Sequence, residues 1–262
     1  MKAQIASGKR AVGLGIGLVV LSSIVLSADN SAKPKLPSVQ EVMDRYVKAL
    51  GGHDAIFRHR SMTVHGKYDV SEKGPNLDRI AYYKDGKMLY QITLPDGSQY
   101  QEGYDGKVAW QLHPKNGAAI SEGNEIKSKQ RDADMHYPGR ILNYFSSMEV
   151  VDVTGFEGHQ CYHLKGVNKW SIVNEHFYDT SSGLLIGYRF NSKWRGGSGD
   201  ESEVFSDYKD FGGWLMPSRA AHKSSEGTQV EETTSVTFDD VSDSVFAIPD
   251  AVKVLLAKKA PR

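Results

Sequence analysis

Nine histidines, one cysteine and several runs of carboxylates are the residues of this 262-residue chain whose types could do chemistry. Their spacing decides what they could do together. His159 and His163 stand four apart in a strand-like run, on one face but about 13 Å apart at roughly 3.3 Å per residue, too far to share an ion bound at about 2 Å. His53 and His59 flank a stretch that need not bring them face to face. In Asp132-Ala133-Asp134-Met135-His136, a helix would put Asp132 and His136 one turn apart on one face, as a metal could use. A solvated helix face in a charged stretch explains the same run, and we prefer that reading. Cys161 stands alone, so it closes no intramolecular disulfide and builds no cysteine-rich zinc site; it reads as a small buried hydrophobe.

Nucleophilic hydrolysis needs an exposed serine on a strained turn. The nearest imitation, Arg195 to Gly199 (RGGSG), lacks the Gly-x-Ser-x-Gly spacing and reads as a hairpin tip. Glu231-Glu232 and Asp239-Asp240 are adjacent in or near strands, so each pair splits between two faces and cannot work as acid and base. Gly13, Gly15 and Gly17 lie in an apolar run without the strand and helix of a nucleotide loop, and no HExxH motif occurs. The expectation is therefore no catalytic residue, no metal and no cofactor.

Lys plus Arg and Asp plus Glu both number 32, for a formal net charge of zero, so nothing steers the chain to nucleic acid or an anionic surface. Lys2, Lys9 and Arg10 precede an uncharged run from Ala11 to Ala28 that ends in small residues. That is the layout of a signal peptide over 1–28, with an uncleaved anchor as the alternative. Residues 29–37 read as a linker, 38–250 as one domain and 251–262 as a C-terminal tail.

The elements that would position any site follow from periodicity. Ser38 is a candidate N-cap with Glu41 three residues on, and Val42, Tyr46, Val47 and Leu50 form an apolar stripe that stops at Gly51-Gly52. From Ser61 to Leu112 the period falls to two, with turns at Lys73-Gly74-Pro75, Asp85-Gly86, Pro95-Asp96-Gly97 and Asp105-Gly106. Ser121 to Phe145 interrupts the strands with a helical stretch broken at Pro138-Gly139, and strands return from Met148 to Phe238. About eleven strands joined mostly by short turns predict an antiparallel meander. Such a sheet must close, stack on another sheet or curl around something.

Several short motifs carry a resemblance: YVKALGG after the first helix, YDGKVAW in a strand, FYDTSSGLL at a hairpin, then FSDYKDFGGWLMP and DSVFAIP. Together, across Ser38 to Pro249, they resemble exported outer-membrane lipoprotein-sorting proteins of the LolA-LolB superfamily. The resemblance implies an unclosed, strongly curved antiparallel half-barrel whose apolar cavity is lidded by helices. It also implies a periplasmic carrier or binding protein for a lipid or lipoprotein acyl chains. Partners among envelope membrane proteins and a monomeric state are expected. In that family an arginine on an early strand helps latch the lid; Arg79 is the place to look, although no motif fixes the match.

The alternating faces then name the cavity residues. Met88, Tyr90 and Ile92, then Trp110 and Leu112, then Leu184, Ile186, Tyr188 and Phe190 are expected on the concave wall, with Ile141, Leu142 and Phe145 on the lid. An envelope hydrolase predicts instead a polar, ionisable cluster in the cavity mouth. A ligand-free structural module predicts a packed interior.

Overall fold

The computed structural model describes residues 35–70, 75–193 and 199–259. The expected signal segment, most of the linker and most of the RGGSG turn lie outside these residues.

The first helix, α1 (Val39–Ala49), starts where its N-terminal signal predicts. The Ser38 hydroxyl accepts from the Glu41 N–H at 3.2 Å while the Glu41 carboxylate accepts from the Ser38 N–H at 2.6 Å, satisfying orphan donors reciprocally. Val42, Met43 and Tyr46 bury its apolar stripe. The helix stops at Gly51, whose φ of +106° excludes most side chains and whose added Cβ would lie 2.3 Å from the Gly213 carbonyl oxygen. That close approach lets the Leu215 N–H donate to the Leu50 carbonyl at 3.0 Å. A short helix, α2 (His53–Phe57), follows.

The first strands run β1 (Ser61–Asp69), β2 (Asn76–Lys84), β3 (Lys87–Thr93), β4 (Gln99–Tyr104), β5 (Ala109–His113) and β6 (Gly117–Ile120). Then come α3 (Asn124–Asp132), α4 (Tyr137–Arg140) and a 3-10 turn at Ile141–Tyr144. The chain returns to strands with β7 (Phe145–Phe156), β8 (His159–Asn168), β9 (Val173–Asp179), β10 (Leu185–Asn191), β11 (Asp200–Phe211), β12 (Trp214–Ser224) and β13 (Gly227–Phe238). A last helix, α5, spans Asp250–Lys259. Among the described residues thirteen strands stand where about eleven were expected; Gly-Ala-Ala-Ile in β6 is too short to display alternation.

All thirteen belong to one sheet, in the order β6-β5-β4-β3-β2-β1-β13-β12-β11-β10-β9-β8-β7. Strands consecutive in sequence are adjacent in the sheet with one exception, β6 and β7, and one adjacent pair is distant in sequence. β1 pairs with β13, joining the two ends of the strand region in the middle of the sheet. β6 and β7 are the opposite edges, so the helical interruption between them must cross one face of the sheet. That crossing is what makes the segment a lid.

The sheet is curled. Tyr100 on β4 and Phe190 on β10 line one cavity, although seven steps of about 4.8 Å would set them roughly 34 Å apart in a flat sheet. The covered, concave side holds the main core: Val42 and Tyr46 from α1, Leu50 at its C-cap, Ile56 from α2, and Ile141 pack on Met62, Val64, Leu164, Tyr178, Leu185 and Trp214. The fold is thus a mainly β, unclosed antiparallel half-barrel with helices over its concave face.

Two smaller clusters lie on the convex side. Leu89, Trp110, Val241, Phe246 and Val252 form one, where α5 packs on β6. The stretch read as a C-terminal tail therefore carries a helix that buries Val252 completely. Phe156, Cys161, Phe177 and Ile186 form the other.

Candidate functional site: a lidded cavity on the concave face

Between α3 and the concave wall lies a cavity of about 610 Å³, within the range usual for small-molecule sites. Met88, Tyr90 and Ile92 line it from β3, and Tyr188 and Phe190 from β10, as their alternation predicts. A smaller cavity of about 230 Å³ adjoins it under the lid and shares Arg131, Asp132, Asn174, Tyr188 and Phe205 with it. Ile141 lines this second chamber. Leu142, Phe145 and Leu184 are half-buried against the main core, and neither cavity is lined by them.

Trp110 and Leu112 are elsewhere. On β5 it is Ala109 that packs with Met88 and Tyr104 beneath Ala133 of the lid segment. Trp110 faces the convex cluster, its ring so close to β4 that a Cβ added at Gly103 would meet it at 2.4 Å. The alternation in KVAWQLHP was legible; which phase faces inward was not, because both faces of this strand are covered.

Ile186 is also on the far side. The register of β10 against β9 shifts between Leu185 and Gly187, and such a bulge reverses the phase of alternation. Leu185 therefore joins the inner core, Ile186 the outer cluster, and Tyr188 and Phe190 face inward again.

The cavity wall is more polar than its aromatic residues alone suggest. On the lid, Lys129 pairs with Glu102 of β4, while both Arg131 Nε and Nη2 donate to Asp132 Oδ1, at 3.0 and 2.6 Å. Across the sheet, the Tyr90 hydroxyl donates to Glu231 Oε1 at 2.9 Å, and Arg79 Nε lies 3.5 Å from Glu231 Oε2. Arg79 Nη2 also donates to Thr233 at 3.1 Å. Its polar partners among the described residues are on β13, so the arginine braces the wall. On β11 and β12, His222 places Nε2 3.2 Å from Glu201 and Nδ1 3.2 Å from Glu203.

Burial sets the protonation of the remaining polar groups. It raises the phenols of Tyr68, Tyr90, Tyr100 and Tyr188, and pushes that of Tyr83 up to about 12, so the ring hydroxyls stay neutral. His176, in the second chamber, is pushed down to about 3, first by burial and then by Arg131. It is a neutral hydrogen-bonding group beside Tyr178, 3.2 Å away.

Other chemistry weighed from sequence resolves locally. His159 engages Asp179 at 3.1 Å, whereas His163 lies 3.4 Å from Asp152. The helix α3 ends at Asp132, and His136 instead bonds the His59 carbonyl at 2.8 Å and stacks on Phe57. Cys161 is fully buried, and burial followed by Asp179 pushes its thiol up to about 11, away from nucleophilic thiolate. Glu231 faces the cavity while its neighbour Glu232 pairs outside with Arg219 at 3.0 Å. Among the described residues, no three His, Cys, Asp or Glu side chains are grouped to hold a metal.

Sequence reasoning missed Glu102, Lys129, Arg131, Glu203 and His222. The strand signal that found Tyr90 and Tyr188 also covers the glutamates, since Glu203 shares a face with Phe205; alternation of apolar residues does not single out a polar residue on the inward phase.

The class defined by this architecture is an open, curved half-barrel lidded by helices, and the fold is LolA-like. A LolA superfamily protein from Nitrosomonas europaea superposes with a TM-score of 0.56 at 13% identity, covering 81% of this chain and 99% of that one. A DUF1329 family protein from Desulfovibrio piger superposes with 0.56 at 14%, covering 80% and 97%. A putative outer membrane lipoprotein-sorting protein domain from Vibrio parahaemolyticus superposes with 0.50 at 12%, covering 83% and 95%. No protein-family model and no curated protein matches the sequence.

Proposed function

We propose that the protein is an exported carrier or binding protein of the cell envelope that holds one hydrophobic ligand, a lipid or lipoprotein acyl chains, in the concave cavity. The observation that carries this reading is the cavity of about 610 Å³ between α3 and a wall bearing Met88, Tyr90, Ile92, Tyr188, Phe190 and Phe205. Binding is non-covalent. Each methylene removed from water contributes roughly 0.8 kcal/mol, and displacement of α3 opens the chamber for loading and release. The unit 38–250 carries the site, export is the task of 1–28, the protein acts as a monomer, and handover involves envelope membrane proteins rather than nucleic acid.

Native mass spectrometry of the protein purified from its own envelope, followed by organic extraction, tests the reading. A stoichiometric lipid adduct supports it. A clean apo mass with no uptake of any added fluorescent lipid overturns it.

A second reading has one observation in its favour: His222 between Glu201 and Glu203 in the wall, the ionisable cluster that an envelope hydrolase predicts. Turnover of aryl esters or lipids that disappears in His222→Ala would support it, and its absence would leave the carrier.

A further inference from the structure

We infer that the ligand's head is uncharged and bears hydroxyl groups, as in a glyceryl or glycosyl amphiphile, rather than a free carboxylate or an ammonium. The inference rests on the carrier reading and narrows it.

Four carboxylates line the main cavity: Glu102, Asp132, Glu203 and Glu231. Three of them are held by a lysine or an arginine of the protein, and the fourth by a histidine. Glu102 has Lys129, and Asp132 has Arg131. Glu231 has Arg79, whose side chain is only 5% exposed beneath the wall. Glu203 has His222, whose Nδ1 lies 3.2 Å from it while Nε2 lies 3.2 Å from Glu201. The second carboxylate on that ring, Glu201, lines a neighbouring groove together with Glu175, Asp200, Arg189 and Lys223, outside the main cavity.

A charged head entering this wall would lose its hydration and find no unused counter-charge, which disfavours it. An uncharged hydroxyl meets the opposite situation. A carboxylate has about four acceptor sites, so one that already holds a cation can still accept from a ligand hydroxyl. Five phenols (Tyr68, Tyr83, Tyr90, Tyr100 and Tyr188) add neutral hydrogen-bonding groups and flat apolar faces. A wall with paired charges, phenols and aromatic faces fits a head that is polar without being ionic.

The test compares three probes with the same sixteen-carbon chain at pH 7: monopalmitoylglycerol, palmitate and hexadecyltrimethylammonium, each titrated into the purified protein. We expect the glyceride to bind at least tenfold more tightly than either ion. Palmitate or the ammonium binding as tightly as the glyceride overturns this inference and leaves the carrier reading standing. No binding by any of the three overturns both. Two variants check the cause through ratios of affinity, which a general loosening of the fold would not move. Lys129→Gln leaves Glu102 without its cation and should improve the ammonium relative to the glyceride severalfold. Glu231→Gln leaves Arg79 without its carboxylate and should do the same for palmitate. Ratios unchanged in both variants overturn the inference.

Discussion

The hydroxyl of Tyr90 on β3 donates to Glu231 on β13 at 2.9 Å, although β2 and β1 lie between their strands. Three steps of about 4.8 Å would part the backbones by roughly 14 Å in a flat sheet, so this bond exists because the sheet curls. Arg79 lies on β2, between the two strands, with its guanidinium 5.9 Å from the Tyr90 ring centroid. Tyr90→Phe should cost about 1 kcal/mol, the usual net worth of one hydrogen bond. Glu231→Ala, which strands a buried guanidinium, should cost about 3 kcal/mol. Urea denaturation of the two variants measures the order, and a larger loss in Tyr90→Phe would contradict the buried-charge account.

Trp110 and Phe190 should separate stability from binding. Trp110 is 3% exposed beneath α5, on the side of the sheet away from the cavity. Trp110→Ala should lose about 3–5 kcal/mol of stability, as large-to-small core changes do, with lipid affinity unchanged where the protein remains folded. Phe190→Ala should weaken lipid binding about tenfold, equivalent to roughly 1.4 kcal/mol, with little effect on unfolding. The opposite pattern in calorimetric titration and thermal melts would place the cavity on the wrong side of the sheet.

Acid should loosen the second chamber through His176. Burial and Arg131 push this group down to about 3 in the folded protein, against about 6.5 in an unfolded chain. Above about pH 6.5 both states are neutral, and the group makes no pH-dependent contribution. As pH falls from there toward 3 the unfolded state takes up a proton that the folded state refuses, so stability falls with pH across that window. His176→Gln should flatten the slope of unfolding free energy between pH 6 and pH 4. An unchanged slope would show that other groups dominate.

Lys129 ties α3 to Glu102 on β4, with both side chains about one-fifth exposed (22% and 23%). Lys129→Gln should therefore speed exchange of the glyceride several-fold, read as its dissociation rate in stopped-flow fluorescence. The partly screened pair is worth on the order of 1 kcal/mol. An unaltered dissociation rate would mean that α3 is held by its packing alone.

Local chemistry made much of the architecture readable from the chain. The capping box at Ser38 and Glu41, the stop at Gly51-Gly52, and the Asp85-Gly86 turn with both residues at positive φ (49° and 75°) each specify backbone geometry through neighbours only a few residues away. The helical break before Phe145 marked the lid, and alternation put Met88, Tyr90 and Ile92 on one face of β3 and Tyr188 and Phe190 on one face of β10. Three matters were beyond that reach. The inward phase of β5 depended on α5 covering the other face, the reversal at Ile186 depended on a bulge set by pairing with β9, and the pairing of β1 with β13 joins residues about 170 positions apart, as in Val64 opposite Val236. The paired charges of the cavity are of the same kind: Glu102 with Lys129 and Arg79 with Glu231 meet only because the sheet curls and the chain must cross its concave face from β6 to β7. Sequence periodicity reports which residues share a face, since that is fixed by the backbone repeat; which face is inside, and which charges neutralise each other there, is decided by long-range packing.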